Sequence, residues 1–286
     1  MKKALFAFVA LSLGLTSCKK EESTTQPVVS DYDNASAVKG GILYNTFWAT
    51  EAGYDLTDTA KINHLNTYSD FYRCKQCHGW DLMGREGSYI NRAPKANRPN
   101  VAGSLVALIK SKTRQELFDA IKTGSVTRRT ITADLASYNP ATNATVGDQM
   151  PNYGTLLTDA QIWDLVKFLK EGAFDVTQLY DATYTGTYPT GKATFANIGK
   201  DGDGVNGKAF FDNNCAKCHG TNGTLIPNLD GAGYTVGSFV RAKPNEAQHK
   251  MKFGQLGTAM KANSSMVLSD VKNLYKALSD TTAFPK

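Results

Sequence analysis

The pentapeptide Cys-x-x-Cys-His occurs twice in this chain of 286 residues, as CKQCH at 74–78 and as CAKCH at 215–219, with glycine after each copy. Two thiols three positions apart can each add to one vinyl group of a haem, and the adjacent histidine then coordinates the iron. The repeat therefore predicts two covalently bound haem c groups. The predicted thioether residues are Cys74, Cys77, Cys215 and Cys218, and the predicted proximal ligands are His78 and His219.

Two other uses of paired cysteines fit this sequence poorly. A structural zinc site needs four ligands in tetrahedral spacing, and neither copy is followed by a second cysteine pair or by His-x-x-x-His. A thioredoxin-type pair lies between a strand and a helix and lacks the adjacent histidine. Covalent haem is therefore the favoured interpretation.

The first residues, MKKALFAFVALSLGLTSC, have the composition of an export signal. Two lysines precede an apolar run (4–15) that is too short to span a bilayer, and small residues precede Cys18. The LTSC stretch resembles a bacterial lipobox, which implies that residues 1–17 are a lipoprotein signal and that Cys18 carries lipid. The alternative is an ordinary signal peptide cut nearby.

Residues 18–38 are polar and have no apolar period, so they are predicted to form a flexible tether. The Lys- and Glu-rich start of this segment resembles surface-export signals of Bacteroidota lipoproteins. Together these segments imply a location in the cell envelope, on the periplasmic face or at the cell surface. The membrane would be reached through acyl chains rather than through a helix.

The cysteine and charge counts limit the chemistry further. Four of the five cysteines belong to the motifs and Cys18 takes lipid, so neither a disulfide nor a free thiolate is expected. The 32 basic and 26 acidic residues include the two signal lysines, so the mature chain has only a small positive excess, which haem propionates would cancel. The lysines and arginines are scattered, and no nucleic-acid partner is expected.

Each half of the chain repeats one order of helical segments, which predicts a mainly α protein. The segment 158–172 starts with a capping box of Thr158 and Gln161 and has apolar residues at helical spacing. The last segment has a similar apolar face, with Ser269 as its predicted cap. A helix that ends at glycine precedes both, at 113–124 and 245–254. The chain is therefore an internal duplication.

This order resembles class I cytochrome c, in which the first and last helices cross and the haem sits in a mostly apolar crevice. The resemblance covers residues 39–172, a first domain with an N-terminal extension, and residues 203–286, a second domain. It implies a methionine as sixth iron ligand in the loop before the last helix. In the first domain the matching residue is Met150, in a Met-Pro pair.

In the second domain two methionines precede the last helix. Met260 is favoured because Met266 lies only three residues before Ser269, although Lys261 stands where the family has proline. His64 is the alternative sixth ligand for the first haem. A surface position is the simpler interpretation of this histidine.

The same family uses a proline carbonyl after the motif to accept the proximal histidine's Nδ1–H, which orients the ring. Pro227 follows the second motif closely. Pro99 follows the first after an insertion, with Pro94 as its competitor. The resemblance thus implies Pro99 and Pro227 as carbonyl acceptors, and a plain turn proline is the alternative at Pro99.

Other conspicuous side chains have structural interpretations. Alignment of 113–124 with 245–254 on their final glycines places Met251 at an apolar core position. It places His249 opposite Asp119, at a polar surface position. Trp48 and Trp80 are expected to pack beside the haem.

Residues 173–202 are the predicted linker between the domains. They are rich in Thr, Tyr and Gly and alternate around PTG, which predicts a short β-hairpin. The following DGDGVNG (201–207) departs from the EF-hand pattern at Val205 and Asn206, so a turn into a helix is expected rather than a calcium loop.

One-electron transfer is the function that this residue set implies. His/Met ligation at both irons leaves no open coordination position, and the partners would be one redox protein that donates and one that accepts. The alternative is a dihaem peroxidase, or another haem oxidoreductase with one ligand-accessible iron. The separation of the two motifs is in the range of dihaem peroxidases.

Overall fold

The computed structural model describes residues 30–124, 129–131, 136–142 and 149–286, and the described part is mainly α, as predicted. The α-helices, numbered α1 to α13, are Asp31–Asn34, Ala37–Thr46, Thr59–Thr67, Ser69–Tyr72, Cys74–His78, Val106–Ser111, Arg114–Lys122, Asp159–Lys167, Gly204–Asn214, Ala216–His219, Val236–Ala242, Pro244–Phe253 and Leu268–Leu278. Short 3₁₀ turns occur at Thr50–Ala52, Gly84–Glu86, Tyr153–Thr155 and Val176–Gln178, and a π turn, Phe168–Gly172, continues α8. The strands are β1 (Arg129–Ile131), β2 (Gln149–Pro151), β3 (Asp181–Thr185) and β4 (Lys192–Ala196).

The first and last helices of each half cross at a glycine. A methyl group on Gly40 of α2 would lie 1.9 Å from the Asp164 carbonyl oxygen of α8. A methyl group on Gly207 of α9 would lie 1.9 Å from the Asn273 carbonyl oxygen of α13. Because no side chain larger than hydrogen fits at either point, the two helix pairs approach closely. The halves therefore share one helix-crossing geometry.

The capping boxes predicted in the first half are present. Thr113 and Glu116 cap α7, and Thr158 and Gln161 cap α8, with side chain and backbone bonded in both directions. The last helix begins two residues earlier than predicted. Its N-cap is Val267, whose amide donates to the Asp270 carboxylate at 2.9 Å, so Ser269 lies inside the helix and is not its cap.

The flexible tether predicted for residues 18–38 does not extend to residue 38, because its last residues are helical. Residues 31–34 form α1, and Tyr32 is only 3% exposed because it packs edge-on against Trp163. Its hydroxyl donates to Glu171 at 2.5 Å. An aromatic anchor thus ties this segment to the C-terminal end of the first domain. The rest of the predicted tether, the signal segment and Cys18 lie outside the described residues.

The linker forms the expected hairpin, β3 pairing antiparallel with β4. It is not a detached connector, because Val176, Leu179 and Tyr180 are buried in the core of the second half. Residues 201–207, which were expected to form a turn into a helix, lead directly into α9. The Asp203 carboxylate caps α9 by accepting from the amides of Val205 and Asn206.

The two halves pack against each other through α2 and α12. A methyl group on Gly41 would lie 2.4 Å from the Phe253 ring, so glycine permits this contact. Phe253 is 2% exposed and belongs to the core of the first half, while Met83 of the first half packs on the core of the second. Among the described helices, none has the length and apolar character needed to cross a membrane.

Candidate haem-binding sites

The first motif forms α5, one short helix anchored by its neighbours. The guanidinium of Arg73, just before the helix, donates to the Asn45 carbonyl at 2.6 Å. Gly79 ends the helix at φ +77°, a conformation that other residues rarely adopt. The Tyr44 hydroxyl donates to the Gly79 carbonyl at 2.6 Å. The glycine after the motif therefore serves to turn the chain away from the histidine.

The second motif repeats this local geometry. Cys215 precedes α10, which ends at His219, and Gly220 again has φ +77°. The His219 carbonyl accepts from the Leu225 amide at 3.0 Å, which closes the loop after the motif. Cys218 is exposed, whereas the other three motif cysteines are half-buried. The second motif is thus the more open of the two.

Burial raises the pKa of three of the motif thiols. It raises the pKa of Cys74 to about 12 and that of Cys77 to about 11, and it raises the pKa of Cys215 to about 11. A nucleophilic or redox-active cysteine needs a lowered pKa instead. Cys74, Cys77 and Cys215 therefore lack the lowered pKa of a nucleophilic or redox-active cysteine.

A cavity of about 190 Å³ opens beside the first motif, and a small apolar extension with Tyr44 and Leu165 adjoins it. The cavity brings together the predicted first-site residues Cys74, Cys77, His78 and Met150. Native interiors contain few voids larger than a water molecule. A cavity of this size beside the motif is therefore consistent with a bound prosthetic group that fills it.

Met150 reaches this cavity from strand β2, which pairs in parallel with β1. Tyr153, two residues beyond Pro151, also lines the cavity and donates to the Tyr72 carbonyl at 2.9 Å. Pro99 is buried, and the next residue, Asn100, lines the same cavity as His78; Pro94 is exposed. The burial favours Pro99 over Pro94, and its role as acceptor stays a prediction.

A larger cavity, of about 490 Å³, lies beside the second motif. It brings together Cys215, Cys218 and His219 with three methionines, Met251, Met260 and Met266. Met266 is 4% exposed and belongs to the second core, whereas Met260 lies half-buried in the loop between α12 and α13. Met251 was expected only as a core residue, and its place on the cavity wall was not predicted.

His219, the predicted proximal ligand of the second site, has a buried Nδ1 with no hydrogen-bond partner among the described residues. Burial lowers the pKa of His219. Pro227 is exposed, while the adjacent Asn228 and Leu229 line a cavity together with His219. The bond from His219 to the Pro227 carbonyl is therefore not made in this structure, and the assignment of Pro227 stays a prediction.

Both tryptophans that were predicted to pack beside a haem are buried against other side chains. Trp48 packs on Phe47 and donates from its indole to Asn66 at 2.8 Å. Trp80 packs at a tilt against His249 of the second half, with ring centroids 4.7 Å apart. Neither indole lines the two cavities beside the motifs. Contact between the halves, which local sequence does not reveal, determines the position of Trp80.

The surface position predicted for His249 is wrong. Its ring is 1% exposed, surrounded by Tyr44, Trp80, Phe168 and Phe253 from both sides of the contact between the halves. Burial, with Lys75 as the second cause, lowers the pKa of His249 to about 3.

His64 lies away from both cavities. Its Nε2 is 3.1 Å from the Tyr72 hydroxyl.

The donor set at each cavity fits a covalently bound haem. Two cysteines can form thioethers, an imidazole can bind the iron, and a thioether side chain of methionine lies on the same cavity. Among the described residues, no group of three or more His, Cys, Asp or Glu side chains could hold a metal ion.

Comparison with known families agrees with this geometry. The family model described as Cytochrome c matches residues 67–173 and again residues 204–278. The matches include both motifs and the last helix of each half, while α2, which crosses α8, precedes the first match. No curated protein and no solved structure matches the chain significantly.

Proposed function

Because the chain belongs to the cytochrome c family, we propose that it is a dihaem electron carrier that passes single electrons between a donor and an acceptor protein. Cytochrome c domains support a haem-based electron-transfer role. One observation carries the finer proposal. Each motif histidine lines a cavity together with a methionine from the segment before the last helix of its domain.

The chain's residues have distinct roles in this proposal. The four motif cysteines would hold two haem groups, and His78 and His219 would each bind one iron. Met150 and Met260 would supply the second protein ligand of each iron, so that small molecules would be excluded from the metal. Bound haem supplies an iron that cycles between Fe(III) and Fe(II), with a potential raised by thioether ligation relative to two imidazoles.

A lipid anchor at Cys18 completes the proposal. The lipobox-like LTSC and the polar segment after it support attachment in the cell envelope, where the domains would meet soluble or membrane-bound redox proteins. The Cys18→Ala variant is expected to leave the membrane fraction or to accumulate as an unprocessed precursor. Wild-type partition of this variant into membranes would contradict the anchor.

The electron-carrier proposal is tested by the ferric spectrum and the haem content of the purified protein. Two haems per chain and a weak far-red band from methionine-bound ferric iron are expected. Met150→Ala and Met260→Ala should each remove about half of that band, lower one potential and open one iron to cyanide. Met266→Ala is the matched control, because Met266 lines the same cavity as Met260 and should leave the band intact.

The same experiment separates the carrier from a peroxidase. If the wild-type protein contains one high-spin haem that binds cyanide and turns over peroxide, the carrier proposal is overturned and the peroxidase replaces it. If Met266→Ala removes half of the band and Met260→Ala does not, the ligand of the second site is Met266.

A further inference from the structure

The loop that carries Met260 is held by a residue of the other domain. This loop, residues 254–263, connects α12 to the segment before α13. Glu51, in the 3₁₀ turn after α2, accepts from the Gly257 amide at 3.0 Å. The Lys261 ammonium, next to Met260, lies 3.7 Å from the same carboxylate oxygen. One carboxylate of the first domain therefore contacts the loop on both sides of the predicted ligand.

The loop is also closed within itself. Gly254 has φ +80°, and a methyl group there would lie 2.5 Å from the Met260 carbonyl oxygen. That oxygen accepts from the Gln255 amide at 2.9 Å, and the Met260 amide donates to the Thr258 hydroxyl at 3.1 Å. A displacement of Gly257 would be transmitted through this short ring of bonds to Met260.

Apolar contacts support the same attachment. Leu256 and Ala262 pack against the core of the first domain, and Phe253, just before the loop, is part of that core. The first site is built differently, because Met150 lies on a strand paired within its own domain. The two sites thus differ in what holds their methionine.

We propose that Glu51 is a positioning residue for the second haem site, which holds the Met260 loop so that the thioether stays on the iron. The inference rests on the proposed ligation by Met260. It assigns Glu51 no contact with the haem or with an electron-transfer partner. It makes the docking of the first domain a condition for stable ligation in the second.

Cyanide binding to the full-length, haem-loaded ferric protein tests this role, because cyanide binds only when the methionine leaves the iron. Glu51→Ala should speed binding at the second haem roughly two- to tenfold, the change that corresponds to the net contribution of one ordinary, solvent-exposed hydrogen bond. Glu51→Gln keeps an acceptor for Gly257 and loses the ion pair, so a smaller rise is expected. The far-red band should weaken in the same order.

Glu116→Ala is the matched control. Glu116 is another first-domain carboxylate that accepts from a backbone amide, at 2.8 Å from Thr113, and pairs with a lysine, Lys112, at 2.7 Å. Its two partners directly precede α7, far from the Met260 loop in sequence, and its loss should leave the cyanide rate of the second haem unchanged. The Met260→Ala variant, measured in parallel, identifies the kinetic phase that belongs to the second haem.

The outcomes are distinguishable. If Met260→Ala removes half of the far-red band but both Glu51 variants bind cyanide at the rate of Glu116→Ala, the positioning role is overturned and the electron-carrier proposal stands. If Met260→Ala leaves the band whole, the ligand assignment fails, and this inference fails with it. Should Glu51→Ala not fold, the Glu51→Gln rate alone decides.

Discussion

Protonation of His249 should oppose the packing of the two domains in acid. This histidine lies on α12 with its ring 4.6 Å from that of Phe253 and 4.7 Å from that of Trp80. Burial lowers its pKa from 6.5 to about 3, Lys75 adds to the effect, and a hydrogen bond to the Gly41 backbone opposes it. The folded protein therefore keeps the ring neutral at a pH where the unfolded chain protonates it.

The sign and size of the effect follow from these two pKa values. Below pH 6.5 the unfolded state binds a proton that the folded state does not, so the free energy of unfolding falls as the pH drops toward 3. Between pH 7 and pH 5 the loss due to this one group is about 2 kcal/mol. Above pH 7 the group contributes no pH dependence.

Urea unfolding of the haem-loaded protein, followed by circular dichroism at pH 7 and pH 5, measures this loss. Other groups titrate in the same range, so the comparison is between wild type and His249→Gln, which can keep a hydrogen bond to Gly41 but cannot gain the charge. Between pH 7 and pH 5, the free energy of unfolding of the variant should fall by about 2 kcal/mol less than that of the wild type. An equal loss in wild type and His249→Gln would refute the reasoning.

Two further predictions concern packing near the sites. Gly207→Ala should destabilise the protein by about 1–3 kcal/mol, because its methyl group would overlap a backbone oxygen of α13 at 1.9 Å. Gly204→Ala is the control on the same helix; its added methyl group would have its nearest contact at 3.5 Å, so the variant should be neutral or slightly stabilised. Urea unfolding measures both variants. Equal free energies of unfolding for the two would contradict the crossing geometry. Asp81→Ala should cost about 1–3 kcal/mol for each of the Met83 and Ser88 amides that it leaves without an acceptor. A calorimetric or urea-derived loss below about 1 kcal/mol would show that these bonds do not hold the loop after the first motif.

Much of the candidate site could be predicted from the sequence because its signals are local. The two haem motifs depend on residues within one helical turn, and the glycine after each is required by a left-handed backbone at Gly79 and Gly220. The capping boxes that start α7 and α8 span three residues. The amphipathic period that predicts the last helices is likewise contained within each segment. The family resemblance implies a methionine ligand in the loop before each last helix, and Met150 and Met260, the residues it indicates, both lie on the cavities beside the motifs.

Tertiary structure decided the features that depend on contact between the halves. Internal symmetry predicted that His249 would resemble Asp119, which is exposed, yet the second copy of this helix is buried against the first domain. The same contact brings Glu51 to the Met260 loop across more than two hundred residues of sequence. A local pattern records which face of a helix is apolar, but not which partner covers it, because burial is determined by segments that are distant in the chain.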